Sequence, residues 1–377
     1  MTNRERALAA LRYEPWDHLP VVHFGFWQET REKWAGEGHI TRREAKSDGD
    51  TARRLGFDFE WGACMGTGTN LRPGFERKVI KELGNGTRHV RNGNGVVELE
   101  KDGVTSIRQE IAHLLEGREG WEEHYLPRLR FTPERVPVDA IKREIKRLEK
   151  NDRAERPVGL FLGSLYGCFR DWAGVTGTSY IYADDEELYK EILDTIGNLA
   201  YRCLEETLAL CPPGLFDFAH MWEDICFKTG PLVIPAVFRE WVGPHYRRMT
   251  DLLRQHGTDL VSLDCDGCID ALLPIWLEGG VNVMFPMEVG TWGASIAPWR
   301  EQYGKALRGV GGMNKNVFSR DFDAVDAEIE RLKPLVALGG YLPCPDHRIA
   351  PDAKWENVAY YVRRMKEVFY TAPRLET

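Results

Sequence analysis

Between Thr258 and Gly290 the chain reads as strand, acidic turn, short helix, strand and acid. Thr258–Leu263 is rich in β-branched and apolar residues and stops abruptly at Asp264-Cys265-Asp266-Gly267. Leu272, Leu273, Ile275, Trp276 and Leu277 give the next segment the apolar positions of a helix, which Gly279-Gly280 closes. A second buried-type strand, Val281–Met287, then stops at Glu288. Consecutive strands that each end in carboxylates at their C-terminal tips are the pattern of a βα barrel with its site on that face. The reading therefore puts the reaction centre at this tip.

The remaining chain supplies the rest of such a barrel. Its 377 residues accommodate a (β/α)₈ TIM barrel as a single domain over residues 1–377. Thr2-x-x-Glu5 is a capping box ahead of a short helix. His18–Trp27 and Gly56–Trp61 are early strand candidates, separated by a helix around Ala45–Leu55. From Pro157 the alternation is regular. Strands are expected at Val158–Leu162, Leu215–Ala219, Leu307–Gly312 and Leu335–Leu338, and helices beginning at Asp184/Asp185, over Phe238–His256, Asp321–Leu335 and Trp355–Tyr370. With the two early strands this makes about eight units, the number that closes a barrel. Residues 77–111 differ: short β runs, the last Val104–Ile107, are split by Gly84-Asn85-Gly86, Asn92-Gly93-Asn94-Gly95 and Asp102-Gly103. Such turns mark hairpins. About 35 residues bury too little to fold alone, so this reads as an antiparallel β insertion on the barrel.

Charge and composition exclude several classes of function. A net charge of −8 opposes a nucleic-acid surface, which needs clustered Lys and Arg. The basic run Lys142–Lys150 alternates with Glu144 and Glu149 and reads as a solvated helix face. There is no apolar run approaching the roughly 18 residues of a membrane span, and Met1–Arg6 has no signal-peptide character. Eight scattered cysteines suit a reducing compartment, so a cytoplasmic location is expected.

Polar residues gather at the expected strand tips: His220, Glu223 and Asp224; Asp264 and Asp266; Glu288; Cys344, Asp346 and His347. Each also has a plainer reading. Asp264 and Asp266 suit a helix cap, Glu288 a salt bridge, His347 a loop contact, and His220 with Glu223 a mutual pair. Cys265-x-x-Cys268 lacks the second ligand pair of a zinc knuckle, and strand alternation points Cys265 away from the mouth. Asp264, Asp266, Cys344 and His347 together are consistent with one divalent ion, zinc being the metal that accepts oxygen, nitrogen and sulfur donors.

The opening Thr2–Leu11 with Asp17-His18-Leu19-Pro20-Val21, the segment Leu273–Asn282, and His347-Arg348-Ile349-Ala350-Pro351-Asp352 with Glu356-Asn357-Val358 resemble uroporphyrinogen-decarboxylase-like proteins, in order and along essentially the whole chain. The resemblance implies the barrel. True decarboxylases carry an Arg-rich segment after the first strand for a polycarboxylate substrate. Here that position reads His23-Phe24-Gly25-Phe26-Trp27-Gln28-Glu29-Thr30, which argues against that substrate. The other branch comprises zinc methyltransferases linked to corrinoids, with a His-x-Cys-Gly metal motif at a strand tip. Asp264-Cys265-Asp266-Gly267 stands at that position, and Cys344 and His347 stand near the later ligand. Carboxylates and a histidine make a harder, more Lewis-acidic site than thiolates do, better suited to an ether or hydroxyl oxygen.

The resemblance thus implies a zinc-dependent methyltransferase that takes a methyl group from a small O- or N-methylated substrate. Its acceptor would be a corrinoid carried by a corrinoid-binding partner protein. Asp264, Asp266, His347 and Cys344 are the expected metal ligands, and Glu223, Glu288 and His220 the expected catalytic residues. Trp27, Trp222 and Tyr166 are the expected substrate contacts; Trp61, Trp172 and Trp292 would join them if they line the mouth. A homodimer is compatible with this reading. The alternatives are a metal-free decarboxylase of a small carboxylate and a non-catalytic ligand-binding barrel.

Overall fold

The computed structural model describes residues 1–104, 108–149 and 155–370. Three short strands come first, β1 (Val22–His23), β2 (Phe59–Glu60) and β3 (Met65–Gly66). The insertion supplies β4 (Lys78–Gly84), β5 (Thr87–Arg91), β6 (Val97–Lys101) and β7 (Gln109–Ala112). Then follow β8 (Gly159–Gly163), β9 (Phe218–Trp222), a small hairpin of β10 (Cys226–Phe227) and β11 (Gly230–Pro231), β12 (Leu260–Asp264), β13 (Val283–Met287), β14 (Arg308–Met313) and β15 (Tyr341–Pro345).

Seven strands form one parallel sheet in the order β15-β14-β13-β12-β9-β8-β3, with helices between successive strands. The apolar runs dictate this. All of β13 and β15, and β12 up to Asp264, are buried, as strands covered on both faces must be. Separately, β1 pairs in parallel with β2. Beyond the two ends of the large sheet, Ile349 N donates to Gly25 O and Trp27 N to Ile349 O, both at 3.1 Å, so the segment after β1 runs beside the segment after β15. The arrangement is TIM-barrel-like. Register sets the tips level: Asp264 stands opposite Trp222 on one side and Phe285 on the other.

The insertion is a four-stranded antiparallel sheet, β4-β5-β6-β7. Asn85 and Gly86 both have positive φ (53° and 69°) between the paired Gly84 and Thr87, the two-residue turn that matches strand twist. Of the expected run Val104–Ile107, residues 105–107 lie outside the described residues. The sheet is fastened to the body where helix Gly167–Asp184 is interrupted at Gly174 (φ 69°). There His113 Nδ1 lies 3.1 Å from Trp172 O, and a Cβ on residue 174 would stand 2.6 Å from His113 Nε2.

Local signals hold up in several places. The Thr2/Glu5 capping box is present, and Asp185 and Asp321 cap their helices. Two expectations need correction. Leu335–Leu338 is not a strand: helix Phe322–Ala337 carries Pro334 within its last turn, and the strand begins at Tyr341, after Gly339-Gly340 turn the chain at positive φ. The apolar run there is the end of a helix stripe. Phe238–His256 is also not one helix but Pro235–Trp241 and Gly243–Gln255, because Pro244 has no N–H to continue the first. Among the described residues, no helix is long and apolar enough to cross a membrane.

Asp217, at the entry to β9, clasps the sheet to the first helix. Its Oδ2 accepts from Val158 N at 2.8 Å and from Arg4 Nε at 2.7 Å, and its side chain is 5% exposed. Asp217→Ala strands both donors, so urea denaturation is expected to show a loss of about 2–4 kcal/mol. A midpoint equal to that of the parent would refute this clasp.

Candidate active site

The tips of β9 and β12 are sewn together by Glu223 N donating to Asp264 O at 2.8 Å. This brings Asp224 beside the acidic turn. Asp224 adopts φ 45°, a left-handed conformation that Asp tolerates better than most residues. Its Oδ1 accepts from Asp266 N at 3.1 Å. One oxygen from each of Asp224, Asp264 and Asp266 lies within 4.8 Å of the other two. That spacing lets one cation touch all three after small side-chain rotations.

The electrostatics of this cluster are unfavourable without a cation. Burial raises the Asp264 carboxyl well above the usual carboxylate range, and Asp224 and Asp266 push it further; Arg348 opposes them. Burial and then Asp266 push Asp224 up to about 6. Glu288 is raised for the same reasons, by burial and by Asp266. Glu288 is held in place by Gly267 N at 2.6 Å and Thr291 Oγ1 at 2.8 Å. Asp266 Oδ1 is buried without a hydrogen-bond partner among the described residues, while its Oδ2 lies 3.3 Å from His347 Nε2. An orphaned carboxylate oxygen inside an acidic cluster is a group that a bound cation would satisfy.

Aromatic rings form the wall on the His347 side. Trp27 stacks on the His347 imidazole with centroids 5.7 Å apart, and Phe24 meets both His347 (5.6 Å) and Phe285 (4.5 Å) edge-on. The Trp222 side chain hydrogen-bonds Asp224 and lies beneath the Arg170 guanidinium, 5.8 Å from its ring centre. The other tryptophans sit elsewhere: Trp61 stacks on Phe218, Trp172 packs on Tyr125, and Trp292 lies against Trp299.

Asp264, Asp266, His347, Glu288, Trp27 and Trp222 are therefore gathered at one place. Cys344 is not with them. It is fully buried next to Tyr341 and Tyr361, outside the acidic cluster. His220 lies two residues below Trp222 on the same strand, among Phe161, Phe218 and Phe285; burial lowers its pKa to about 4, so the ring is neutral, and its Nδ1 has no partner. Tyr166 is buried in an aromatic cluster and bonds Tyr189 through their hydroxyls at 2.8 Å. Glu223 is fully buried and accepts from Ser164 Oγ (2.8 Å), Leu165 N (2.9 Å), Tyr166 N (2.9 Å), Gly167 N (2.6 Å) and the Tyr246 hydroxyl. These donors open the helix that begins at Gly167, where a carboxylate also meets the helix dipole. Asp346 is likewise occupied, by Gly290 N and Lys315 N. Asp224 and Arg348 join the site without an expected role; position at a strand tip is the sequence signal for the first, adjacency to His347 for the second.

No protein-family description and no curated protein sequence matches the chain. Its fold is similar to that of a solved methyltransferase from Methanosarcina mazei, with a TM-score of 0.62, 16% identity, and coverage of 97% of this chain and 99% of that one. At that identity the likeness is one of fold. A Listeria monocytogenes protein described as a vitamin-B12 independent methionine synthase aligns at a TM-score of 0.40 and 12% identity, too distant to carry an argument.

Two outcomes are expected. Glu223→Gln turns an NH₂ group toward several donors, so stability in urea should fall by about 2–4 kcal/mol. If Glu223 were instead an acid/base group, turnover would vanish while stability stayed unchanged. For chelator-treated protein, Asp224 holds its proton up to about 6 when folded, against 3.8 for the unperturbed group. The stabilisation it contributes is thus complete below 3.8 and lost as pH rises through about 6. Melting temperature should decline across that window, and Asp224→Asn, which suits the same backbone conformation, should flatten the decline. An equal slope in the variant would refute the assignment.

Proposed function

We propose that the chain is a closed (β/α)₈ methyltransferase that removes a methyl group from a small O- or N-methylated compound. The acceptor in this reading is a corrinoid supplied by a partner protein. The observation that carries the metal-dependent part is the meeting of Asp224, Asp264 and Asp266, where Asp266 keeps one carboxylate oxygen unpartnered among the described residues and has the other 3.3 Å from His347 Nε2. A fold shared over nearly the full length with a methyltransferase supports the reaction class.

Asp224, Asp264, Asp266 and His347 would hold the zinc ion. Their donor chemistry fits, being three carboxylate oxygens and an imidazole nitrogen. Cys344, buried away from them, is left out of the set. A zinc ion there supplies Lewis acidity toward the heteroatom that bears the methyl group. Glu288, whose carboxyl is raised by burial and by Asp266, would be the group to hand a proton to the demethylated oxygen or nitrogen. Trp27, stacked on His347, and Trp222, beside Asp224, flank the substrate with apolar surface. His220 remains neutral and keeps the floor of the mouth dry among Phe161, Phe218 and Phe285.

Elemental analysis of the purified protein should find about one zinc per chain. Asp266→Ala should weaken metal binding by at least about tenfold and abolish demethylation. Metal-free protein that turns over, or full zinc retention in Asp266→Ala, would overturn the proposal. One observation favours a second reading, metal-free decarboxylation of a small carboxylate. Without a cation, burial and the neighbouring aspartates raise the Asp264 carboxyl well above the usual range, which favours the protonated form of a group at the mouth. Carbon dioxide release that survives chelation would select it.

A further inference from the structure

The chain is acidic overall, with a net charge of −8, yet one cleft gathers cations. It is a cavity of about 530 Å³ between helix Gln28–Gly36 and the turn Glu44–Lys46. Gln28, Arg31 and Glu32 line one side by helical spacing; Arg42, Ala45 and Lys46 line the other. Arg31 is rooted at the base, with Nη1 donating to Ala45 O at 2.9 Å and Nε 3.3 Å from Asp48 Oδ1. Glu32, the one carboxylate on the lining, is already engaged by Gln28 Nε2 at 2.6 Å. The charged groups of Arg42 and Lys46 are exposed and have no hydrogen-bond or ion-pair partner among the described residues.

We propose that this cleft binds a phosphate monoester. Arg31, paired with Asp48, braces the base, and the two unpartnered cations Arg42 and Lys46 match a doubly charged phosphate, which Arg engages through paired N–H groups. The volume is that of a small-molecule site and leaves room for an organic part beyond the phosphate. That part would meet Ala35, Gly36 and Ala45 on the cleft's own lining. Trp27, which caps the start of helix Gln28–Gly36, stacks on His347, so the helix that lines the cleft begins at the aromatic wall of the acidic site. Asp48 joins the two regions, contacting Arg31 at 3.3 Å and Arg348 at 3.4 Å. The assignment stands on the cleft's own residues and does not depend on the methyltransferase reading.

Calorimetric titration of the whole protein at constant ionic strength, with phenyl phosphate, inorganic phosphate and benzoate, tests it. Saturable binding of phenyl phosphate is expected, with inorganic phosphate weaker and benzoate weaker still. The exposed double variant Arg42→Ala/Lys46→Ala should lose at least about tenfold in affinity, while His347→Ala should keep the parent value. Absence of saturable binding overturns the proposal. So does unchanged affinity in the double variant, benzoate binding as tightly as phenyl phosphate, or loss of binding in His347→Ala, which would move the ligand into the mouth.

Discussion

The site depends on one buried carboxylate that carries no free valence. Glu223 collects its hydrogen bonds from the turn Ser164–Gly167 and from Tyr246, joining the loop after β8, the tip of β9 and helix Gly243–Gln255. The approach is so close that a Cβ on Gly167 would stand 2.0 Å from Glu223 O, so only glycine fits. A buried carboxylate with this many donors is stable where an unpaired one would be expelled or neutralised. Because Glu223 is anchored toward the turn Ser164–Gly167, the next residue points the other way, in toward Asp264 and Asp266. Asp224 thereby reaches the acidic turn of the neighbouring strand.

The cluster so formed works against folding. Asp224, Asp264, Asp266 and Glu288 share a small partly buried volume, and the pKa values of Asp224, Asp264 and Glu288 are raised by desolvation and by their neighbours. Arg348 relieves part of that cost but is itself drawn toward Asp48 and Phe26 O at 3.4 Å. A fold that retains such an arrangement spends stability on it, the usual mark of a functional site. The surrounding layers are apolar and well packed, which is what allows the tips to be held in this state.

How much of this was legible follows from the range of the interactions. Strands buried on both faces, capping boxes and Asn-Gly turns are local patterns, and β12, β13, the insertion and the helix caps were readable from them. The misread strand at Leu335–Leu338 shows the limit, since an apolar run beside a proline and two glycines suits a helix end equally well. For the site, strand ends identified Asp264, Asp266, Glu288 and His347. Whether a neighbouring side chain turns in or out is not a property of the local sequence. Cys344, three residues before His347, turns away toward Tyr361, whereas Asp224 turns in because its backbone takes a left-handed conformation. Glu223 and Asp224 are adjacent acids with opposite environments, and only the donors from distant segments tell them apart.

The donor set is where these threads meet. A site built from Asp264, Asp266, His347 and Cys344 would mix hard and soft ligands. Exchanging Cys344 for Asp224 makes every donor oxygen or imidazole nitrogen, and brings in the ligand from the strand paired with β12 rather than from β15. An ion held this way keeps more of its positive charge than one bound by thiolate. Under the proposed function it would therefore suit an ether or amine better than a thiol. A divalent cation among the same three carboxylates would offset most of their mutual repulsion. Binding of such a cation would then raise the stability of the fold through the same few atoms.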